Sequence, residues 1–271
     1  MRTLSDPAFR DAPISTAMAY AQAAITGNWR ATILVALTLL ILSLLQAIPL
    51  LNILFSLMQG VILYAMAYWV VDRAKSSTDV VDFRERVRND NERTVMFDFF
   101  GPAAGFYLGF FIFSLVMMLI TVGLFWLSGG FTMMASIQTP GPDATPEQIG
   151  AFYAQVFGVG TPALLFVLIT SLFFSYLWPL VYGYALFQRN FGDAFNAVFM
   201  FFSTRFWRAA FTGAYFKVAA LWMLVVFGVG ILMGITLATL ILLPLGILLL
   251  MWLVYFTATA SAAAYNLTDA V

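Results

Sequence analysis

None of the thirteen Lys and Arg residues of this chain lies inside a long apolar run, and alternation of the runs puts all of them on one side of a membrane. An apolar stretch of about 20 residues, at 1.5 Å rise per residue, matches the roughly 30 Å hydrocarbon core of a bilayer. Six such runs are read, over Ala31–Pro49, Ile53–Val71, Pro102–Ser128, Pro162–Gln188, Val218–Ala238 and Ile241–Ala262. Arg2, Arg10 and Arg30 precede the first. Arg73, Lys75, Arg84, Arg86, Arg88 and Arg93 separate the second from the third, and Arg189, Arg205, Arg208 and Lys217 separate the fourth from the fifth. The other connections, Leu50–Asn52, Gly129–Thr161 and the turn near Thr239–Leu240, carry no cation and only Asp143 and Glu147 as charges. Lys and Arg in short loops stay on the inner side, so both termini are expected inside. The expected fold class is all-α: a polytopic membrane protein of six transmembrane helices in three hairpins, with interfacial amphipathic helices.

Composition agrees and removes whole classes of chemistry. The chain is 62% hydrophobic and 10% charged, against about 25% charge in a soluble domain. Its net charge is zero, so nucleic acid is not an expected partner. There is no Cys, hence no disulfide or thiolate chemistry, and no His, the commonest metal ligand and acid–base group. No cofactor is expected. Asp6, Arg10, Asp11 and Arg30 precede the first run, which does not fit a secretory signal.

Between the spans the pattern is helical. Asp6-Pro7 and Pro13 open helices before the first span, with Ile14, Met18, Ala21 and Ile25 on one apolar stripe. Thr78 is read as the cap of a short helix carrying Val80, Phe83 and Val87, and Phe195, Phe199, Phe202 and Phe206 form a further stripe. Thr145-Pro146-Glu147-Gln148 reads as a capping box opening an outer helix over 146–157, ended by Gly158 and Gly160. The chain is thus one integral membrane domain, 1–271: an inner segment 1–30, hairpin 31–71, charged segment 72–101, hairpin 102–188, inner segment 189–217 and hairpin 218–262. Trp29, Trp69, Trp178 and Trp207 fall near the inner boundary, where amphipathic rings prefer to sit.

The chain resembles a loose group of bacterial inner-membrane proteins, which includes YciC-like proteins and the membrane domain fused to some glycerophosphodiester phosphodiesterases. The residues that carry the resemblance are Pro49 and Pro244 at the hairpin turns and the small-residue stretch Ala262-Ala263-Ala264-Tyr265, together with the topology. No phosphodiesterase catalytic domain lies in these 271 residues. The resemblance implies a bacterial inner-membrane location and supplies no catalytic residues.

Three groups of residues stand out. Gly101, Gly105 and Gly109 in the third span, and Gly230 and Gly234 in the fifth, sit four apart, so another helix backbone can approach closely, within the chain or across a homo-oligomer seam. Pro179 frees the carbonyl of Ser175, and with Tyr176, Trp178 and Tyr182 it offers an aromatic cleft for a lipid-like molecule. Arg84, Glu85, Arg86 and Arg88 form an exposed charged row suited to docking a cytoplasmic partner. The carboxylates Asp72, Asp79, Asp82, Glu85, Asp90, Glu92 and Asp98 alternate with cations, the pattern of an ion-paired face rather than a metal site. A charge at mid-bilayer costs about 2.5–3.5 kcal/mol, so those that persist mark ion paths; the spans hold none. The expectation is a non-catalytic membrane protein, a scaffold, assembly factor or accessory subunit, with membrane lipids and a membrane or cytoplasmic protein as partners. The alternative is a passive conduit or carrier for lipid-like or small neutral substrates.

Overall fold

A computed structural model of the chain describes residues 4–49, 51–127, 141, 145–237 and 242–269, and every element among them is helical. The first half runs α1 (Ala8–Asp11), α2 (Pro13–Gly27), α3 (Trp29–Leu45), α4 (Asn52–Ser76), α5 (Val80–Arg88), α6 (Glu92–Phe97) and α7 (Phe100–Leu127). The second runs α8 (Pro146–Ala185), α9 (Phe191–Ala197), a 3-10 turn (Val198–Phe202), α10 (Thr204–Ala210), α11 (Gly213–Leu237) and α12 (Leu243–Asp269). Among the described residues, five helices are long and apolar enough to cross a membrane, or six if α2 and α3 count as one broken span bent by 91°. This is an all-helical integral membrane architecture. The turn near Thr239–Leu240, together with Asp143 and Ser128, lies outside the described residues.

Contacts divide the chain into two units, Met1–Phe110 with Tyr176–Val271, and Phe111–Ser175. In the first, α12 is the hub, packing against α2, α3, α4 and α11. Its run of Ala258, Thr259, Ala260, Ser261, Ala262, Ala263 and Ala264 is sealed from solvent. Side chains this small bring neighbouring backbones close, which is how helices gain dispersion contacts in an apolar solvent. Burial concentrates at the ends of the spans that carry the cations. On α4, Ile53, Leu54, Leu57 and Met58 are exposed, whereas Ala65 through Val71 and then Ala74 are buried. On α11, Tyr215, Val218, Ala219 and Trp222 are buried while Leu224, Phe227, Ile231 and Ile235 are open. These open apolar faces are what a helix presents to lipid.

The helix α2 departs from the surface role its stripe suggests. Ile14, Ala17, Tyr20, Ala21, Ala23 and Ala24 are all buried, against α12 on one side and α5 on the other. A row of tilted rings, Phe9 against Tyr20 against Phe83 with centroids 4.8 and 4.7 Å apart, fills that junction. The sharp turn between α2 and α3 is made by Asn28. Its side-chain oxygen caps the Ala31 amide at 3.1 Å, and its Nδ2 donates to the carbonyls of Val87, at 2.8 Å, and Asp90.

Two local expectations change. The cap of α5 is Asp79, whose carboxylate accepts from the amides of Val81 and Asp82 at 2.8 and 2.9 Å. Thr78 instead donates its own amide to Asp82 Oδ2 at 3.0 Å, so the cap falls one residue later than the sequence suggests. The Phe195–Phe206 stripe does not lie on one helix. An extended residue, Ser203 (φ −91°, ψ 131°), separates the 3-10 turn from α10, so Phe206 is buried and Phe202 stands out at 85% exposure.

In the second unit the capping box is made as the sequence reads it. The Gln148 amide donates to Thr145 Oγ1 at 3.3 Å, and the Thr145 amide to Gln148 Oε1 at 3.0 Å. The helix it starts does not end at Gly158. It continues to Ala185 as one helix of 40 residues. Glycine inside a helix costs only about 1 kcal/mol, so Gly158 and Gly160 do not by themselves end the helix. Phe113 and Phe174 meet edge to face, 5.7 Å apart, within this unit. Leu119, Trp126, Leu165, Ile169 and Leu172 are exposed.

Candidate functional site

At the basic end of the first unit, the charged groups are knotted into a single frame. Arg73, two residues past the second apolar run, gives Nε to Asp90 Oδ2 at 2.8 Å and its terminal nitrogen to Oδ1 at 2.9 Å. Such forked pairing is the strongest arrangement open to a guanidinium and a carboxylate. Trp69 Nε1 donates to the same Asp90 Oδ2 at 2.8 Å. With the Asn28 bond to its carbonyl, Asp90 ties α4, the α2–α3 corner and the α5–α6 turn to one point.

A second knot closes the end of α8. Its last carbonyls have no partner within the helix. Tyr68 donates its hydroxyl to Ala185 O at 2.9 Å, and Lys75 Nζ donates to Leu186 O at 3.0 Å while resting 4.4 Å above the Phe187 ring. Asp72 lies 3.8 Å from Arg73 and 3.6 Å from Arg189. Asp6 accepts from Tyr20 at 3.0 Å and from the Ala8 amide at 2.8 Å. The carboxylates that could be imagined as catalytic are thus engaged structurally: Asp79 as a cap, Asp82 by Thr78 and Arg86 (2.9 Å), Asp90 by Arg73 and Trp69. The Thr78 amide, and then Arg86, hold the Asp82 carboxyl below the usual carboxylate range. Among the described residues no three acidic groups converge on a point where a metal ion would sit.

On this frame α5 presents its charged row. Phe83 and Val87, one turn apart, are buried against α2, while Arg84, Glu85, Arg86 and Arg88 are exposed. Arg86 is held by Asp82 one turn back. Arg84, Glu85 and Arg88 flank a shallow 390 Å³ depression with Thr26 and Gly27 of α2.

The glycines separate into two sets. A Cβ at Gly105 would overlap the Phe191 carbonyl, and one at Gly109 would stand 2.7 Å from the Phe195 carbonyl, so both clear the way for the backbone of α9. Gly101, Gly230 and Gly234 have open space where a Cβ would go. The tightest approach was not visible in any spacing: Gly183 of α8 faces the Ser261 carbonyl of α12.

The aromatic residues expected to line a cleft are mostly packed. Tyr182 sits between Tyr64, Phe106 and Trp178, with centroids 5.7, 5.4 and 5.6 Å away. Trp178 also meets Phe110 edge to face at 4.8 Å. Pro179 is buried and α8 stays helical through it. The Tyr176 hydroxyl reaches Ala210 O, and its carbonyl accepts from Tyr215. Ser175 belongs to the other unit. A cavity of about 620 Å³ instead opens on the next face of α8, at Leu180, Tyr184 and Gln188, and is closed by α9, α10 and the end of α12. Sequence reasoning missed it because its walls come from segments up to 88 positions apart, from Leu180 to Thr268.

No protein-family model, no curated protein and no solved structure matches this chain.

Proposed function

We propose that this chain is a non-catalytic integral membrane protein, a scaffold or accessory subunit, that holds a rigid basic platform at one membrane surface and docks a protein partner there. The observation that carries the reading is the mounting of α5. A helix of nine residues is marginal alone, yet this one is capped, stapled by Phe83 and Val87 and framed by the Asp90 knot. Such bracing gives Arg84, Glu85 and Arg88 fixed positions, which lowers the entropy cost of docking an acidic surface. The one-sided cations support a location with both termini in the cytoplasm, and a bacterial inner membrane follows from the resemblance to YciC-like proteins. The conduit reading gains less support, since Tyr182 and Trp178 are spent on ring packing.

The test is a photoreactive side chain placed in living cells at Arg84, Glu85 or Arg88, and at the outward-facing Ile41 of α3 as reference. The expected result is one adduct of fixed protein mass at the α5 positions, lost when Arg84 and Arg88 are replaced by Glu, and none at Ile41. Adducts at no α5 position, in cells where the chain is inserted and folded, would overturn the proposal.

A further inference from the structure

The 620 Å³ cavity lies in the size range of small-molecule sites, about 300–1,000 Å³, and its lining is divided. Leu180, Phe199 and Met200 supply apolar wall, while Tyr184 and Gln188 supply hydroxyl and amide. Arg205 and Asp193 add a cation and a carboxylate to the lining. Asp193 is fixed in place: Asn190 caps α9 through the Asp193 amide at 2.7 Å and gives Nδ2 to its Oδ2 at 2.7 Å.

The short helix α10, which supplies Arg205, Phe206 and Ala209 to the lining, carries exposed rings beside both of its ends. Phe202 and Phe211, on either side of α10, are 85% and 70% exposed. Trp207 lies between them, stacked 6.1 Å from Phe211 and anchored through Nε1 to Phe201 O at 2.8 Å. Exposed rings beside Arg205 and Arg208 are the composition of an interfacial belt. A cavity with apolar walls and opposite charges, closed on one side by a helix of that composition, fits a molecule that is itself a greasy stem with a phosphate and an ammonium.

We infer that this cavity binds one zwitterionic phospholipid of the surrounding bilayer. Arg205 receives the phosphate, which a guanidinium recognises through parallel donors. Asp193 receives the ammonium. Leu180, Phe199 and Met200 line the start of an acyl chain. A lipid with phosphate but no ammonium leaves Asp193 facing an anion, so the site discriminates against it.

The experiment is native mass spectrometry of the full chain released from nanodiscs holding equal phosphatidylethanolamine and phosphatidylglycerol. The expected result is a retained phosphatidylethanolamine adduct in clear excess. Arg205→Gln lowers its retention about tenfold, the range for a hydrogen bond to a charged group, whereas Arg30→Gln leaves it unchanged. Asp193→Asn brings phosphatidylglycerol up to parity. Because Arg205 also belongs to the fold of α10, Ala209→Trp provides a second route: it fills the cavity without touching a charge and removes the adduct, while the melting temperature in detergent shows that the chain is folded. Equal retention of both lipids by the wild type, or an adduct that survives Arg205→Gln and Ala209→Trp, overturns the assignment. So does complete displacement of the lipid by soluble phosphoethanolamine, which would make the site one for a free headgroup ester.

Discussion

Gly183 and Ser261 touch backbone to backbone: a Cβ at position 183 would overlap the Ser261 carbonyl, and the Ser261 hydroxyl, fully buried, has no hydrogen-bond partner. Both residues therefore serve by being small. Gly183→Ala is expected to destabilise the chain by about 1–3 kcal/mol, the cost of overpacking a close contact. Ser261→Ala removes a buried unsatisfied hydroxyl and is expected to be neutral or stabilising. Thermal melts in one detergent check both; a stabilised Gly183→Ala would contradict the contact.

The glycine ladder yields a split outcome. Gly105→Leu drives a side chain into the Phe191 backbone and is expected to lower the melting temperature by several degrees, whereas Gly101→Leu and Gly230→Leu enter open space and leave it unchanged. Size-exclusion chromatography with light scattering separates this from an oligomer seam. Equal loss of assembly in all three variants would favour the seam.

Removing the Asp90 carboxylate leaves the Arg73 guanidinium and the Trp69 indole without their common acceptor. Asp90→Ala is expected to cost about 1.5–3 kcal/mol, as for a charged hydrogen-bonded group. It should also raise hydrogen exchange at the α2–α3 corner, because Asn28 bonds the same turn. Exchange confined to α6, with the corner unchanged, would show that the knot does not brace the corner.

The carboxyl of Asp82 is held below its ordinary range by the Thr78 amide first and by Arg86 next. A depressed folded value means that the contribution is complete above the unfolded value and fades as pH falls through the folded one. Hydrogen exchange at the Thr78 amide, which donates to Asp82 Oδ2, is therefore expected to accelerate beyond its intrinsic pH dependence as pH falls through the lowered carboxyl value. Asp82→Asn should abolish that acceleration.

What was legible in the sequence was local or periodic. The Thr145–Gln148 capping box and the apolar helices each rest on residues within a turn or two of one another. The Asp90 knot was not legible, since it joins Asn28, Trp69 and Arg73 across tertiary distance. Gly183 escaped for a different reason: it has no glycine four residues away, and its contact is set by the smallness of its partner helix. Conversely Gly230 and Gly234 carry the motif and face open space, because spacing permits a close approach without supplying a helix to make it. The extent of burial along α2 was not legible, because Ala21 and Ala24 are as welcome against another helix as against lipid.

The absence of native cysteine lets the central claim be tested residue by residue. Single cysteines at Ser15, Glu85 and Ala151, all exposed, are treated with a membrane-impermeant maleimide in sealed vesicles of either orientation. Ser15→Cys and Glu85→Cys are expected to react from one side only and Ala151→Cys from the other only. Reaction of Glu85→Cys and Ala151→Cys from the same side would contradict it.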